Sequence, residues 1–261
     1  MINEGPGFET FEPYEFRDKF RGRKRPVFRS VRPETRAAVI VLHELFGATP
    51  ELFQFANRIA EEGFTAFVPI LFGTPNATFR IDRAIRDIAH VCLSQEFSIL
   101  GANRSSPIVE WIRALGAHVH REVGGRGIGV VGLCLTGNFA LAMMVDPHVT
   151  APVVSEPALP WCITPCLKRA LGLTPHEMAT IRQRTAAGQQ ILAFRFDKDW
   201  ISPEARDDTL RATFANVRGD GKLKPTTPKA HAVFTTHFDE RPGSSTLGAL
   251  ADLRTFLHAN L

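Results

Sequence analysis

The fold of this 261-residue chain is constrained most by a regular alternation of short apolar runs and longer amphipathic stretches. Residues 37–42 (AAVIVL) and Ile128–Leu133 (IGVVGL) are continuously apolar, as in strands that are buried on both faces. Between them, Pro107–Val123 carries apolar residues at helical spacing. Strands and helices that alternate in this way predict an α/β fold with a mostly parallel sheet and helices on both faces.

The same patterns extend along most of the chain. Further strands are predicted over residues 65–70, Val149–Ser155, 190–196 and 230–236. Further helices are predicted over residues 50–62, 80–93, 138–145, 203–215 and 246–260. Because no repeat and no Pro/Gly-rich linker divides the chain, we expect one domain over residues 37–261. Residues 1–36 are expected to add strands at the edge of the same domain.

The net charge of +4 comes from one segment. Residues 17–36 hold nine basic and two acidic side chains, a local charge of +7, so the rest of the chain carries −3. Such a patch can steer anionic partners, but no nucleic-acid motif accompanies it. We therefore expect no nucleic-acid partner. Whether the segment forms an edge hairpin or guides an anionic substrate stays open.

The apolar runs and the cysteines indicate where the protein is located and whether it binds a metal. No stretch approaches the ~20 apolar residues of a membrane span, and the N-terminus lacks the apolar core of a secretory signal. Four cysteines in a chain of this length indicate a reducing compartment, so we expect a cytoplasmic protein. Cys162 and Cys166 have no second pair or nearby histidine at metal spacing, so no metal is expected.

Candidate chemistry lies directly after the predicted strands, because ligands bind at the carboxyl ends of the strands in open α/β sheets. The loop after residues 37–42 begins with His43 and Glu44, and Cys134 follows Ile128–Leu133. Asp197 and Asp199 follow residues 190–196, and His237 follows residues 230–236, so a thiol, acids and an imidazole all stand at strand ends. Each signal is weak alone, but together they predict a nucleophilic site.

Cys134 is the predicted nucleophile. It stands in Gly132-Leu133-Cys134-Leu135-Thr136-Gly137, where a tight strand-to-helix turn needs small neighbours. The N-terminus of the following helix favours the thiolate. An overlapping G-x-G-x-x-G at residues 127–132 lies within the strand, not after it, so no dinucleotide cofactor is expected.

His237 is the predicted base, since it follows the predicted strand 230–236. His231 lies near the start of that strand and hence at the wrong end. Asp199 is the preferred acid, because Pro203 then begins the next helix, with Asp197 as the alternative.

Glu44 lies in the loop beside the nucleophile. It would disfavour a nearby thiolate or would hold the thiol by a hydrogen bond until substrate displaces it. A loop glutamate capped by backbone amides is the alternative interpretation. The backbone N–H groups of Leu45 and Leu135 are the predicted oxyanion donors.

At these residues the chain resembles the dienelactone hydrolase family of the α/β-hydrolase fold. The resemblance rests on VLHELFG (41–47), RIAEEGFTAFVP (58–69), GLCLTG (132–137), DWISP (199–203) and HFDER (237–241), and it covers residues 37–261. It implies a triad of Cys134, His237 and Asp199, with Glu44 controlling protonation of the thiol and no cofactor. It further implies that Arg241, four residues after His237, and Arg80 or Arg83 bind a substrate carboxylate. Thr136 replaces a glycine of the family pattern.

The resemblance implies hydrolysis of a small ester or lactone through a thioester acyl-enzyme. The partner expected is that small-molecule substrate, with the chain acting as a monomer or homodimer. A catalytically silent α/β-hydrolase scaffold that serves as a binding module is the alternative, although the presence of all three triad residue types counts against it.

Overall fold

The computed structural model describes residues 7–17, 24–31, 37–45, 47–73, 75, 106–159 and 165–261. The strands are β1 (Phe11–Tyr14), β2 (Val27–Ser30), β3 (Ala38–Leu42), β4 (Thr65–Pro69), β5 (Ile128–Leu133), β6 (Val149–Ser155), β7 (Ile191–Phe194) and β8 (Val217–Arg218). The helices of the described residues are α1 (Pro50–Glu61), α2 (Pro107–Val123), α3 (Gly137–Met143), α4 (Pro165–Arg169), α5 (Pro175–Ala186), α6 (Glu204–Thr213) and α7 (Ser245–Asn260).

All eight strands form one sheet in the order β1-β2-β4-β3-β5-β6-β7-β8. Six consecutive strands in this order, β4-β3-β5-β6-β7-β8, run parallel to their neighbours. Strands β1 and β2 extend the sheet with antiparallel pairing at the β4 edge. The prediction of an α/β fold with a mostly parallel sheet is therefore confirmed.

The core lies on both faces of this sheet, as the continuously apolar strands predict. In β3, Ala38, Ile40 and Leu42 join one hydrophobic cluster, while Val39 and Val41 join the cluster on the opposite face. Successive side chains of a strand point to opposite faces, so a strand covered by helices on both sides must be apolar at every position.

Local signals fix several helix boundaries as the sequence predicts. Helix α2 has the predicted bounds, and the Ser106 side chain caps it by accepting a hydrogen bond from the Ile108 N–H. Gly124 ends α2 with a φ of 81°. The predicted helix 80–93 lies outside the described residues. Within the described part of the chain, no helix is long and apolar enough to cross a membrane.

The predicted strand 230–236 is wrong. The described backbone there folds back on itself, with hydrogen bonds from His237 N–H to the Ala232 carbonyl and from Phe238 N–H to the Thr235 carbonyl. Its apolar residues are buried by tertiary packing instead, since Phe234 stacks on Phe55 with ring centroids 4.9 Å apart. Burial and not sheet pairing explains the apolar pattern. We call residues 231–237 the base loop.

Candidate active site

Cys134 lies at the carboxyl end of β5 on a strained turn. Its φ is 55°, a left-handed value that is costly for a residue with a side chain, and a single 3₁₀ turn leads from it into α3. Gly132 allows this turn, because a Cβ there would stand 2.2 Å from the Thr136 carbonyl oxygen. The thiol is almost fully buried, at 6% exposure. The sequence therefore folds into a nucleophile elbow, the strand-turn-helix geometry that presents a nucleophile.

Thr136, the departure from the family pattern, stabilises this elbow from within. Its buried hydroxyl donates towards the carbonyls of Leu133, at 2.9 Å, and Leu42, at 3.2 Å. The same oxygen accepts a hydrogen bond from the Leu133 N–H at 3.0 Å. The hydroxyl thus links the elbow to the end of β3, the strand that leads to Glu44.

Asp199 is held rigidly in the loop after β7. Its Oδ1 accepts hydrogen bonds from the backbone N–H groups of Ile201, at 2.9 Å, and Ser202, at 3.1 Å. Arg195 supports the loop from below, because its buried guanidinium donates to the carbonyls of Ser202, Asp199 and Gly221. These contacts leave Oδ2 of Asp199 for an imidazole. The sequence left Asp197 and Asp199 as alternative acids, and Asp199 is the one that contacts the histidine.

That imidazole belongs to His231. Its Nδ1 lies 2.7 Å from Oδ2 of Asp199, and both side chains are buried. The other ring nitrogen, Nε2, is buried and has no hydrogen-bond partner of standard geometry among the described residues, and Cys134 is the neighbour that raises the pKa of this ring most. Burial acts to lower the pKa of His231, but Cys134 and then Asp199 outweigh it, and the pKa lies well above its ordinary value. The three side chains therefore form a connected Cys134–His231–Asp199 array.

The prediction that His237 occupies this place is wrong. Nδ1 of His237 lies 3.2 Å from the Ala232 nitrogen and 3.4 Å from the His231 nitrogen, so it accepts from the backbone of the base loop. Burial, followed by the charge of His231, lowers the pKa of His237. The error follows from the wrongly predicted strand. Because residues 231–237 turn back on themselves, His231 at the beginning of this segment, and not His237 at its end, meets Asp199. Local residue pattern carried no signal that would have selected His231.

The loop after β3 brings Glu44 to the same place. Buried His43 fixes this loop, since its Nε2 accepts from the Leu71 N–H at 2.9 Å and its Nδ1 lies 2.7 Å from the Glu44 carbonyl. The Glu44 carboxyl is hydrogen-bonded by the Thr235 hydroxyl of the base loop. Burial raises the pKa of Glu44, and His231 and Thr235 oppose this rise. Leu45, which follows Glu44 directly, and Leu135, which follows Cys134, stand in the two loops where oxyanion donors are expected.

Sequence reasoning missed a third carboxyl at the site, beside those of Asp199 and Glu44. Glu156 follows β6 directly, the strand beside β5, and it is completely buried. Its Oε2 accepts from the Val233 N–H of the base loop at 3.3 Å and from the Ser155 hydroxyl. The rule that selects residues directly after predicted strands would have found it, since Val149–Ser155 is a predicted strand.

The predicted substrate-binding arginines are not placed at this array. Arg241 is exposed and forms an ion pair with Asp239 at 2.8 Å, and none of its hydrogen bonds reaches the residues around Cys134. Arg80 and Arg83 lie outside the described residues. No cluster of three or more metal-ligating side chains occurs in the part of the chain that the structure describes.

The arrangement can perform acyl transfer. A buried sulfur stands on a strained elbow, an imidazole beside it is held by a carboxylate, and backbone N–H groups follow both Cys134 and Glu44. The eight-stranded sheet with its elbow at β5 is the α/β-hydrolase fold.

Comparison with known proteins agrees with this class. The profile of the dienelactone hydrolase family matches residues 27–240, most of the chain, and the chain therefore belongs to the dienelactone hydrolase family. It is a hydrolase of the α/β-hydrolase fold. A search of curated proteins finds no match.

Three solved structures show the extent of the fold similarity. The structure named m3DLH has 15% sequence identity and a TM-score of 0.63, covering 97% of this chain and 99% of its own. Dienelactone hydrolase from Anabaena variabilis has 12% identity and a TM-score of 0.61, covering 97% and 99%. Acetyl xylan esterase 1 from Thermoanaerobacterium sp. has 15% identity and a TM-score of 0.57, covering 95% and 86%. At these identities the likeness is one of fold alone.

Proposed function

We propose that this hydrolase cleaves a small ester or lactone through a thioester on Cys134. The observation that carries the proposal is the continuous array from Asp199 through His231 to Cys134, with 2.7 Å between Asp199 Oδ2 and His231 Nδ1. A thiolate–imidazolium pair is the charge state that the raised pKa of His231 supports.

In the first half of the reaction, the Cys134 thiolate attacks the carbonyl carbon, and the carbonyl electrons move to the oxygen. The N–H groups of Leu45 and Leu135 are the proposed donors to this oxyanion. The intermediate collapses with cleavage of the C–O bond, and the leaving alkoxide takes the proton from Nε2 of His231. For a lactone, the released alcohol stays attached to the acyl group.

In the second half, His231 takes a proton from water as the water oxygen attacks the thioester carbon. The C–S bond breaks, the carboxylic acid leaves, and the thiolate–imidazolium pair is restored. Asp199 holds the ring tautomer and stabilises its charged form throughout. Glu44 is proposed to tune the charge balance, because its carboxyl reaches the base loop through Thr235.

A panel of p-nitrophenyl esters and simple lactones tests the proposal. We expect turnover by the wild type and its loss in Cys134→Ala, and intact-protein mass spectrometry should detect an acyl group on Cys134. Cys166→Ala is the matched control, since Cys166 is an exposed thiol on α4. Equal turnover by Cys134→Ala and wild type would contradict the proposal. So would wild-type protein that is inert towards the whole panel, the result expected of a silent binding scaffold.

A further inference from the structure

Glu156 has an unusual backbone and an unusual environment. Its φ is 36°, in the left-handed region, and its N–H donates to the Phe194 carbonyl of β7 at 2.7 Å. A non-glycine residue persists in this conformation only when its surroundings hold it there, and such residues concentrate at functional sites. The strained turn directs the carboxyl inwards, where it is completely buried.

The carboxyl of Glu156 reaches the loop that carries His231. Its Oε2 accepts from the N–H of Val233, two residues after His231, and from the Ser155 hydroxyl. Its Oε1 has no hydrogen-bond partner among the described residues. The base loop is thus fixed by two carboxyls from different strand ends: Glu156 at Val233, and Glu44 at Thr235.

We propose that Glu156 is a positioning residue, which holds the base loop through the Val233 N–H so that His231 stays between Asp199 and Cys134. The inference rests on the proposed hydrolase function and extends it. Glu156 stands close to the nucleophile strand because β6 ends beside β5, and its carboxyl spans from there to the base loop. An alanine at this position would remove the only described side-chain acceptor of the Val233 N–H.

The carboxyl acts as a neutral acid. Burial raises the pKa of Glu156 to about 8, the charge of Glu44 adds to this rise, and His231 opposes it. An ionised Glu156 would leave a buried charged oxygen without a partner, which is costly. It would also add a negative charge that faces Glu44. We therefore expect activity to fall as pH rises through about 8.

Two substitutions separate position from charge. Glu156→Ala should lower kcat for p-nitrophenyl acetate by about 10- to 100-fold with little change in KM, because small misplacements of a catalytic group cost this much. Glu156→Gln keeps a neutral acceptor and should restore kcat to within about 3-fold of wild type at neutral pH, while the fall near pH 8 moves upwards by about one pH unit or more. Glu177→Gln is the matched control: Glu177 is a buried capping glutamate on α5, and its loss should leave the pH profile unchanged.

The proposal is overturned if Glu156→Ala retains wild-type kcat, or if Glu156→Gln is as impaired as Glu156→Ala. An unchanged alkaline limb in Glu156→Gln overturns the neutral-acid role. If Glu156→Ala does not fold, the Glu156→Gln profile and infrared spectroscopy decide. The carbonyl stretch of a protonated carboxylic acid should be stronger in wild type at neutral pH than in Glu156→Gln, and equal spectra would contradict the inference.

Alkylation of Cys134 by iodoacetamide distinguishes failure of this inference from failure of the proposed function. The reaction needs the thiolate that His231 supports, but it needs no substrate. If the wild type hydrolyses no ester, the proposed function fails, yet slower alkylation in Glu156→Ala with recovery in Glu156→Gln still supports the positioning role. Equal alkylation rates in all three proteins overturn it.

Discussion

At the scale of single residues, two histidines in one loop have opposite electrostatic states. Burial acts to lower the pKa of His231, but Cys134 and then Asp199 outweigh it and raise the pKa of the ring. Burial and then the charge of His231 lower the pKa of His237. His231 is therefore the histidine that favours the protonated form, as the proposed acyl transfer requires. His237 stays neutral and uses Nδ1 to accept from the loop backbone.

Substitution of each histidine by asparagine should separate these roles. His231→Asn should lower kcat/KM for p-nitrophenyl esters by about 10³-fold or more, as loss of a triad member does. His237→Asn should cost about 10-fold or less, because the asparagine oxygen can still accept a backbone hydrogen bond. Circular dichroism checks that both variants are folded. A loss in His237→Asn that equals the loss in His231→Asn would restore His237 as the base.

At the scale of elements, the sequence predicted most of the sheet because local pattern and burial agree there. Strand β5 and helix α2 have the predicted bounds, since apolar runs and capping residues are local signals. Residues 230–236 also carry a strand-like pattern, but their apolar side chains pack on Phe55 and Phe194 without pairing to a strand. Periodicity indicates burial and not hydrogen-bond partners. It therefore selected Cys134 and Asp199, which the structure brings together, but it misplaced the histidine that joins them.

The elbow between β5 and α3 depends on Gly132. Gly132→Ala would place a Cβ 2.2 Å from the Thr136 carbonyl oxygen, and backbone cannot yield as a flexible side chain does. We expect a loss of about 3 kcal/mol or more in the free energy of unfolding. Urea denaturation measures it. Gly248→Ala is the control, because Gly248 is exposed on α7 with open space around it, and alanine there should stabilise by about 0.5–1 kcal/mol. Equal effects of the two substitutions would contradict this account.

The Thr136 hydroxyl is expected to contribute to the same elbow. Thr136→Val keeps the shape of the side chain but leaves the Leu133 N–H and the Leu42 carbonyl without this partner. The cost in unfolding free energy should be about 1–3 kcal/mol. Thr136→Ser, which retains the hydroxyl, should recover most of it. If valine and serine cost the same, the methyl group and not the hydroxyl stabilises the elbow.

At the scale of the whole molecule, the described part of the basic N-terminal segment lies apart from the acidic residues around Cys134. The basic N-terminal segment supplies Arg29, whose guanidinium pairs with Glu12 of β1 and Glu122 of α2. The carboxyls around the Cys134 array follow β3, β6 and β7, in the middle and the far half of the strand order. Of the basic segment, the described Arg29 thus lies at the edge of the sheet, whereas Glu44, Glu156 and Asp199 lie around the Cys134 array.

The pH dependence of global stability should contain a contribution from His43, which lies between β3 and the active-site loop. Burial, with the charge of Arg25, lowers the pKa of His43 to about 4, and its Nε2 must stay unprotonated to accept from the Leu71 N–H. The unfolded chain protonates this ring near its ordinary pKa of 6.5, and the folded chain does so only near 4. The stabilisation is therefore complete above about pH 6.5 and is lost as pH falls towards 4, by about 3 kcal/mol.

His43→Gln isolates this contribution, because glutamine can accept the same hydrogen bond and does not titrate in this range. Urea unfolding of both proteins at a series of pH values between neutral and about 4 gives the difference in unfolding free energy. As pH falls, we expect the unfolding free energy of wild type to decrease more steeply than that of His43→Gln. The contributions of the other titrating groups cancel between the two proteins. Parallel curves for the two proteins would show that His43 titrates in the folded chain as it does in the unfolded one.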